Sequence, residues 1–181
     1  MKGTTAMSRR HANVVNIDEI KPRSIDQGRH SLTVQSLGGA AGGLQLGAAL
    51  TIVAPGHISF PAHCHFASEE AIYVLSGTGK ARIGKDRVPV RSGDWLAFPV
   101  GPDHAHQMIN DGDEPLVYLC VSTTARTDVA FYPDSNKVNV FGADSSSTAG
   151  LRHLGIYHRE EGKDFSGYWD REPEAGGPGL E

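Results

Sequence analysis

From Leu44 to Ser122 the chain is a succession of short apolar runs cut at regular intervals by turn residues: "LQLGAALTIVAPG", "HISFPAHCHF", "EAIYVLSGTGKARIG", "DRVPVRSGDWLAFPVGPD" and "HAHQMINDGDEPLVYLCVS". Evenly spaced strands of this kind specify a barrel or a sandwich. Several of the breaks, "SGTG", "GKD" and "NDGDEP", supply glycine, asparagine or aspartate where tight antiparallel turns need positive φ, so neighbouring strands are expected to pair antiparallel. The 22 glycines and 10 prolines, with no long apolar helical repeat, point the same way, to an all-β chain.

A length of 181 residues is enough for one sizeable core and argues for a single domain. Residues 1–43 read as an N-terminal arm with edge strands, and the glycines of "SLGGAAGGLQLG" break any helix there. Residues 44–124 carry the barrel. Residues 125–181 lose the regular spacing and read as a C-terminal arm, whose Tyr157, Phe165, Tyr168 and Trp169 are expected to pack on the barrel or on a partner subunit.

With 17 basic and 21 acidic side chains the formal charge is -4, which argues against a nucleic-acid or anionic-membrane partner. No apolar segment is long enough for a membrane-spanning helix, and a cytoplasmic location is the default expectation. Cys64 and Cys120 form no C-x-x-C pair, so neither a disulfide framework nor a cysteine-based zinc site is indicated. No G-x-S-x-G elbow is present.

One stretch carries chemistry. In "PAHCHFASEE" His63 and His65 leave the same face of a strand, about 7 Å apart at the backbone, while Cys64 leaves the other. Two imidazoles so presented can converge on one ion, and the next strand begins with Glu69 and Glu70 as carboxylate donors. Two histidines and a carboxylate on one face suit iron, manganese, nickel or zinc, and these ligand types do not choose among them. The structural alternative for an isolated H-x-H is a pair of surface or core histidines.

At this point "GHISFPAHCHFASEEAIYVLSG" resembles the first motif of the cupin superfamily, G-x5-H-x-H-x3,4-E-x6-G, with Gly56, His63, His65, Glu70 and Gly77 in its places. The motif selects Glu70, which six residues separate from Gly77, and leaves Glu69 as an outward, solvated charge. Six residues instead of five stand between Gly56 and His63, which implies a bulge or a longer turn before the histidine strand. The second motif, G-x5-P-x-G-x2-H-x3-N, resembles "GDWLAFPVGPDHAHQMIN", where Gly93, Pro99 and Gly101 fit directly. Counting forward from Gly101 selects His104, and counting back from Asn110 selects His106. His106 is preferred, because its distance from the following turn sets strand register, and His104 is the named substitute.

The resemblance implies an all-β double-stranded β-helix, or jelly-roll barrel, holding one divalent metal ion on His63, His65, Glu70 and His106, in a homodimer joined by its terminal arms. It implies a small-molecule ligand and a metalloenzyme of oxygenase, isomerase or lyase type acting on an oxygen-bearing metabolite. The alternative is a non-catalytic binding or storage-type protein. A sugar-phosphate isomerase would require an inward lysine or arginine for the phosphate, and strand parity offers none in the barrel. Parity also predicts an apolar pocket wall from Leu46, Ala48, Leu50 and Ile52 on one side and Ile72 and Val74 on the other, with Phe60, Trp95, Met108 and Tyr118 as further candidates for the lining.

Overall fold

The computed structural model describes residues 11–143 and 151–158. The strands, in chain order, are β1 (Arg23–Gln27), β2 (His30–Ser36), β3 (Leu46–Val53), β4 (Cys64–His65), β5 (Glu70–Ser76), β6 (Thr78–Ile83), β7 (Asp86–Arg91), β8 (Trp95–Phe98), β9 (His106–Ile109), β10 (Leu116–Thr123), β11 (Thr127–Tyr132), β12 (Lys137–Ala143) and β13 (Leu151–His158). They form sheets in the orders β1-β2-β3-β10-β5-β8, β13-β12-β11-β4 and β7-β6-β9. Every pairing between two of these strands is antiparallel, and the sheets wrap into the expected all-β jelly-roll barrel.

The turns divide into two kinds. "GKD" closes a true hairpin between β6 and β7, with Gly84 at φ +57°. "SGTG" and "NDGDEP" do not close hairpins. β5 pairs with β10 and β8 whereas β6 pairs with β7 and β9, so Gly77, at φ +83°, marks the corner where the chain leaves one sheet for another. A Cβ on Gly77 would stand 2.4 Å from the Pro115 carbonyl oxygen, so the corner needs both the positive φ and the missing side chain. The second corner, between β9 and β10, is held by Asn110. Its Nδ2 donates to the carbonyls of Val53 and Glu114 (2.9 Å each), and its Oδ1 accepts from the Gly112 N–H at 3.1 Å.

The core lies between the sheets, around Val53, Val74, Phe98, Met108, Leu116 and Tyr118, all at most 3% exposed. Each such side chain contributes about 1.5–3 kcal/mol by leaving water. β2 adds Leu32 and Val34 from the expected N-terminal region. The glycines of "SLGGAAGG" do not exclude helix as expected. Leu37–Ala40 make a single α-turn, which approaches β3 so closely that a Cβ on Gly38 would lie 2.8 Å from the Ala48 nitrogen. Residues 127–143, read as part of an arm, are β11 and β12, and β11 pairs with β4, so this part of the chain is built into a barrel sheet. Tyr157 falls on β13, but its side chain, and all of Phe165, Tyr168 and Trp169, lie outside the described residues.

β3 faces the opposite way from the parity expectation. Thr51 and Val53 point inward, opposite Tyr118 and Leu116 of β10, while Leu46 is 60% exposed. "LGAALTIV" is apolar on both faces, so alternation within it does not choose a side, and the pairing with β10 does.

Candidate metal centre

Each sheet supplies part of the site. β4 carries His65 and is preceded by His63, β5 opens on Glu70, and β9 opens on His106. The backbones of His63 and His106 exchange two hydrogen bonds (3.2 and 2.8 Å), which locks the two histidine segments side by side. Between Gly56 and β4 the chain forms isolated bridges at Ile58 instead of a continuous strand, which takes up the extra residue in the first motif. Cys64, between the histidines, is buried on the opposite face.

The four side chains meet at one atom. Oε2 of Glu70 lies 3.7 Å from His63 Nε2, 3.7 Å from His65 Nε2 and 3.1 Å from His106 Nε2. The ligand atoms of His63, Glu70 and His106 lie within 4.8 Å of one another, and His65 stands just outside that tighter group. Glu69 is exposed and turned away. His104 ends the short 3-10 turn Pro102–His104 and does not line the cavity at the site. Its part is played by its carbonyl oxygen, 3.2 Å from His106 Nδ1.

That contact belongs to a pattern. His63 Nδ1 lies 2.8 Å from the Pro61 carbonyl, and His65 Nδ1 lies 2.7 Å from Asp128 Oδ2. With each Nδ1–H donating to a fixed oxygen, Nε2 is the ring nitrogen left to face Glu70, where it donates a proton to the carboxylate or, once deprotonated, offers a lone pair to a cation. Electron-rich atoms facing one another across a few ångströms fit a cation between them, and the donor set of nitrogens and carboxylate oxygen fits a divalent transition metal. Phe98 stacks on the His106 ring, with centroids 3.7 Å apart and planes 8° from parallel, and holds its plane.

The electrostatics keep Glu70 a carboxylate and favour the neutral form of His106. Burial works to raise the Glu70 pKa, but hydrogen bonds from His106 and His63 and the charges of His63 and His65 outweigh it and hold the carboxyl well below its usual range. Burial lowers His106 below the ordinary histidine value, against the pull of Glu70. Burial also raises the Cys64 thiol, and burial together with Glu70 raises that of Cys120, so neither is a ready thiolate.

Beside the cluster opens a cavity of about 270 Å³, with Phe60, Ile72, Met108, Tyr118 and Phe141 among its walls. Phe60, Met108 and Tyr118 line it as expected, but Trp95 does not, because the outer face of β8 leaves it 60% exposed. Sequence reasoning missed two residues here, both beyond the motifs. Asp128, 2% exposed, anchors His65 and accepts from the N–H groups of Ala67 and Val129 (2.9 and 2.8 Å). The available signal was an acidic residue in the otherwise apolar run "TDVAFY". Asn139, on β12, also lines the cavity. An inward lysine exists after all in Lys137, fully buried with its ammonium 5.8 Å from the Tyr132 ring centroid, yet it is not among the residues that line the cavity.

The family model described as "Cupin domain" matches residues 49–122, the stretch that holds all four clustered side chains. The chain belongs to the cupin superfamily. Among curated relatives, an uncharacterized protein of Methanocaldococcus jannaschii is 37% identical over 60 residues, 33% of this chain and 46% of that protein. The polyketide synthase CurC of Streptomyces cyaneus is 31% identical over 110 residues, 60% of this chain and 67% of that protein. Among solved structures, a sugar phosphate isomerase of the cupin superfamily from Silicibacter pomeroyi superposes with a TM-score of 0.66 at 28% identity, over 78% of this chain and 91% of that one. No helix among the described residues is long and apolar enough to cross a membrane.

Proposed function

We propose that this cupin is a metalloenzyme that acts on a small oxygen-bearing metabolite at one divalent ion held by His63, His65, Glu70 and His106. The observation that carries the reading is the convergence of three imidazole Nε2 atoms on a single Glu70 oxygen, with each Nδ1 tied to a separate acceptor. When bound, such an ion supplies Lewis-acid polarisation of a ligand oxygen, or redox chemistry if it is iron or manganese. The chain's own residues shape what reaches it. Glu70 and the imidazoles offer four donors, so positions remain for the metabolite's oxygen, and the apolar walls of the cavity hold its carbon skeleton and exclude water.

Oxygenase, isomerase and lyase chemistry all fit this outline. The likeness to the Silicibacter pomeroyi protein supports the isomerase branch. Against a phosphate-bearing substrate, the described residues that line the cavity include no lysine or arginine. The reading is tested by elemental analysis of protein purified without added ions, followed by oxygen-uptake, isomerase and lyase assays of the loaded protein. Stoichiometric metal with turnover is expected. Stoichiometric metal without turnover of any class would favour a non-catalytic binding protein, and absence of metal would sink the reading.

A further inference from the structure

Among the polar residues that line the cavity beside the His/Glu cluster, Asn139 is set apart by an acceptor that the metal reading leaves unused. Asn139 is 3% exposed and lines the cavity, and its Oδ1 is buried with no hydrogen-bond partner. Buried side-chain acceptors are nearly always paired, and leaving one unpaired disfavours the folded state. A ligand that donates a hydrogen bond there removes that penalty.

Sheet register relates Asn139 to the metal site. Asn139 pairs with Ala130 of β11, and Ala130 pairs with His65 of β4. Residues directly opposite one another across antiparallel strands share a face, so His65, Ala130 and Asn139 form one inward row, with Asn139 about 10 Å from His65 at the backbone. The residue between them, Ala130, is the smallest in the row, so no bulky side chain separates imidazole from amide along it. Phe141, the next inward residue on β12, has its ring 6.4 Å from that of His65, and Tyr132 lies 5.8 Å from the ring of His63, so flat groups flank the row.

We propose that Asn139 is a specificity-determining residue: its Oδ1 accepts a hydrogen bond from a hydroxyl of the ligand, which is a small hydroxylated ring compound with a metal-binding oxygen at its other end. The ligand's orientation at the ion rests on the metal reading above. The acceptor selects the hydroxyl, the aromatic and aliphatic walls select the ring, and the absence of lysine or arginine among the described lining residues disfavours a phosphate.

The test compares benzoate with 3-hydroxybenzoate and 4-hydroxybenzoate as probes, by titration calorimetry on the full chain loaded with Co(II), in the wild type and in Asn139→Leu and Asn139→Ala. In the wild type the better hydroxybenzoate is expected to bind about 5- to 100-fold more tightly than benzoate. That preference, taken as the ratio of hydroxybenzoate to benzoate affinity within each protein, is expected to fall to within about twofold in both variants. Equal affinities in the wild type, a preference that survives in the variants, or no binding of any hydroxybenzoate at millimolar concentration would overturn the proposal. Because the amide oxygen has no partner to lose, neither variant is expected to melt below the wild type, and a fall of more than about 5 °C would assign Asn139 a structural role instead. Metal content measured alongside separates the two readings. A wild type without metal defeats the metalloenzyme proposal, while the hydroxyl preference measured on that metal-free protein still decides the role of Asn139.

Discussion

Asp128 does at the level of a single side chain what the ligand motifs cannot. Its Oδ2 fixes the tautomer and the plane of His65, while its Oδ1 is occupied by backbone N–H groups. Asp128→Asn should therefore lower metal affinity about 10- to 100-fold with the fold retained, as read by competition with a chromophoric chelator. The two rival histidines separate in the same assay. His106→Ala should strip the protein of metal, as His63→Ala should, whereas His104→Ala should leave the metal content unchanged, because residue 104 contributes a backbone carbonyl. Loss of metal from His104→Ala alone would show the register to be misread. The cysteines give a prediction with a pH sign. A raised thiol pKa means less thiolate at any given pH, so at pH 8 both Cys64 and Cys120 should be alkylated by iodoacetamide at least about tenfold more slowly in the native protein than in the unfolded chain. Mass spectrometry of each cysteine peptide measures this. His63, His65 and Glu70 were legible in the sequence because strand alternation and motif spacing act over a few residues. Asp128 was not, since it reaches His65 across 63 positions of chain.

Among the elements, the corners matter more than the strands. Asn110 satisfies two carbonyls and one N–H at the β9–β10 corner and is 1% exposed. Truncation to alanine leaves these groups unpaired, so Asn110→Ala should cost about 1–3 kcal/mol, seen as a lower denaturation midpoint at unchanged m-value. Water entering the vacated space and re-pairing those groups would give a cost near zero, and that result would refute the clamp. Turn chemistry in "SGTG" and "NDGDEP" was legible as turns. Whether each turn joins partners or crosses between sheets was not, because a glycine with positive φ serves both, and the choice depends on which distant strand pairs with the next one. The inward face of β3 was hidden for the same reason. Its two faces are both apolar, and only β10 opposite it selects Thr51 and Val53.

For the whole molecule, the candidate ligand positions tie the architecture together, since β4, β5 and β9 belong to three different sheets. An ion held there links all three, and anything that binds only the folded chain stabilises it. At a hundredfold excess over the dissociation constant the gain is about 2.7 kcal/mol. For a chain of this size that corresponds to roughly 5–10 °C in melting temperature, so a chelator should lower the transition by that amount and Zn(II) or Mn(II) should restore it. A melting temperature indifferent to chelator and metal would count against the centre. The sequence by itself determined the all-β class, the barrel stretch and the side chains able to hold a metal, because these follow from strand period, turn residues and spacing along the chain. Only the tertiary structure decided that His106 and not His104 joins Glu70, that Asp128 backs His65, and that Asn139 faces the cavity. Each of those depends on register between strands far apart in sequence, which no local pattern encodes.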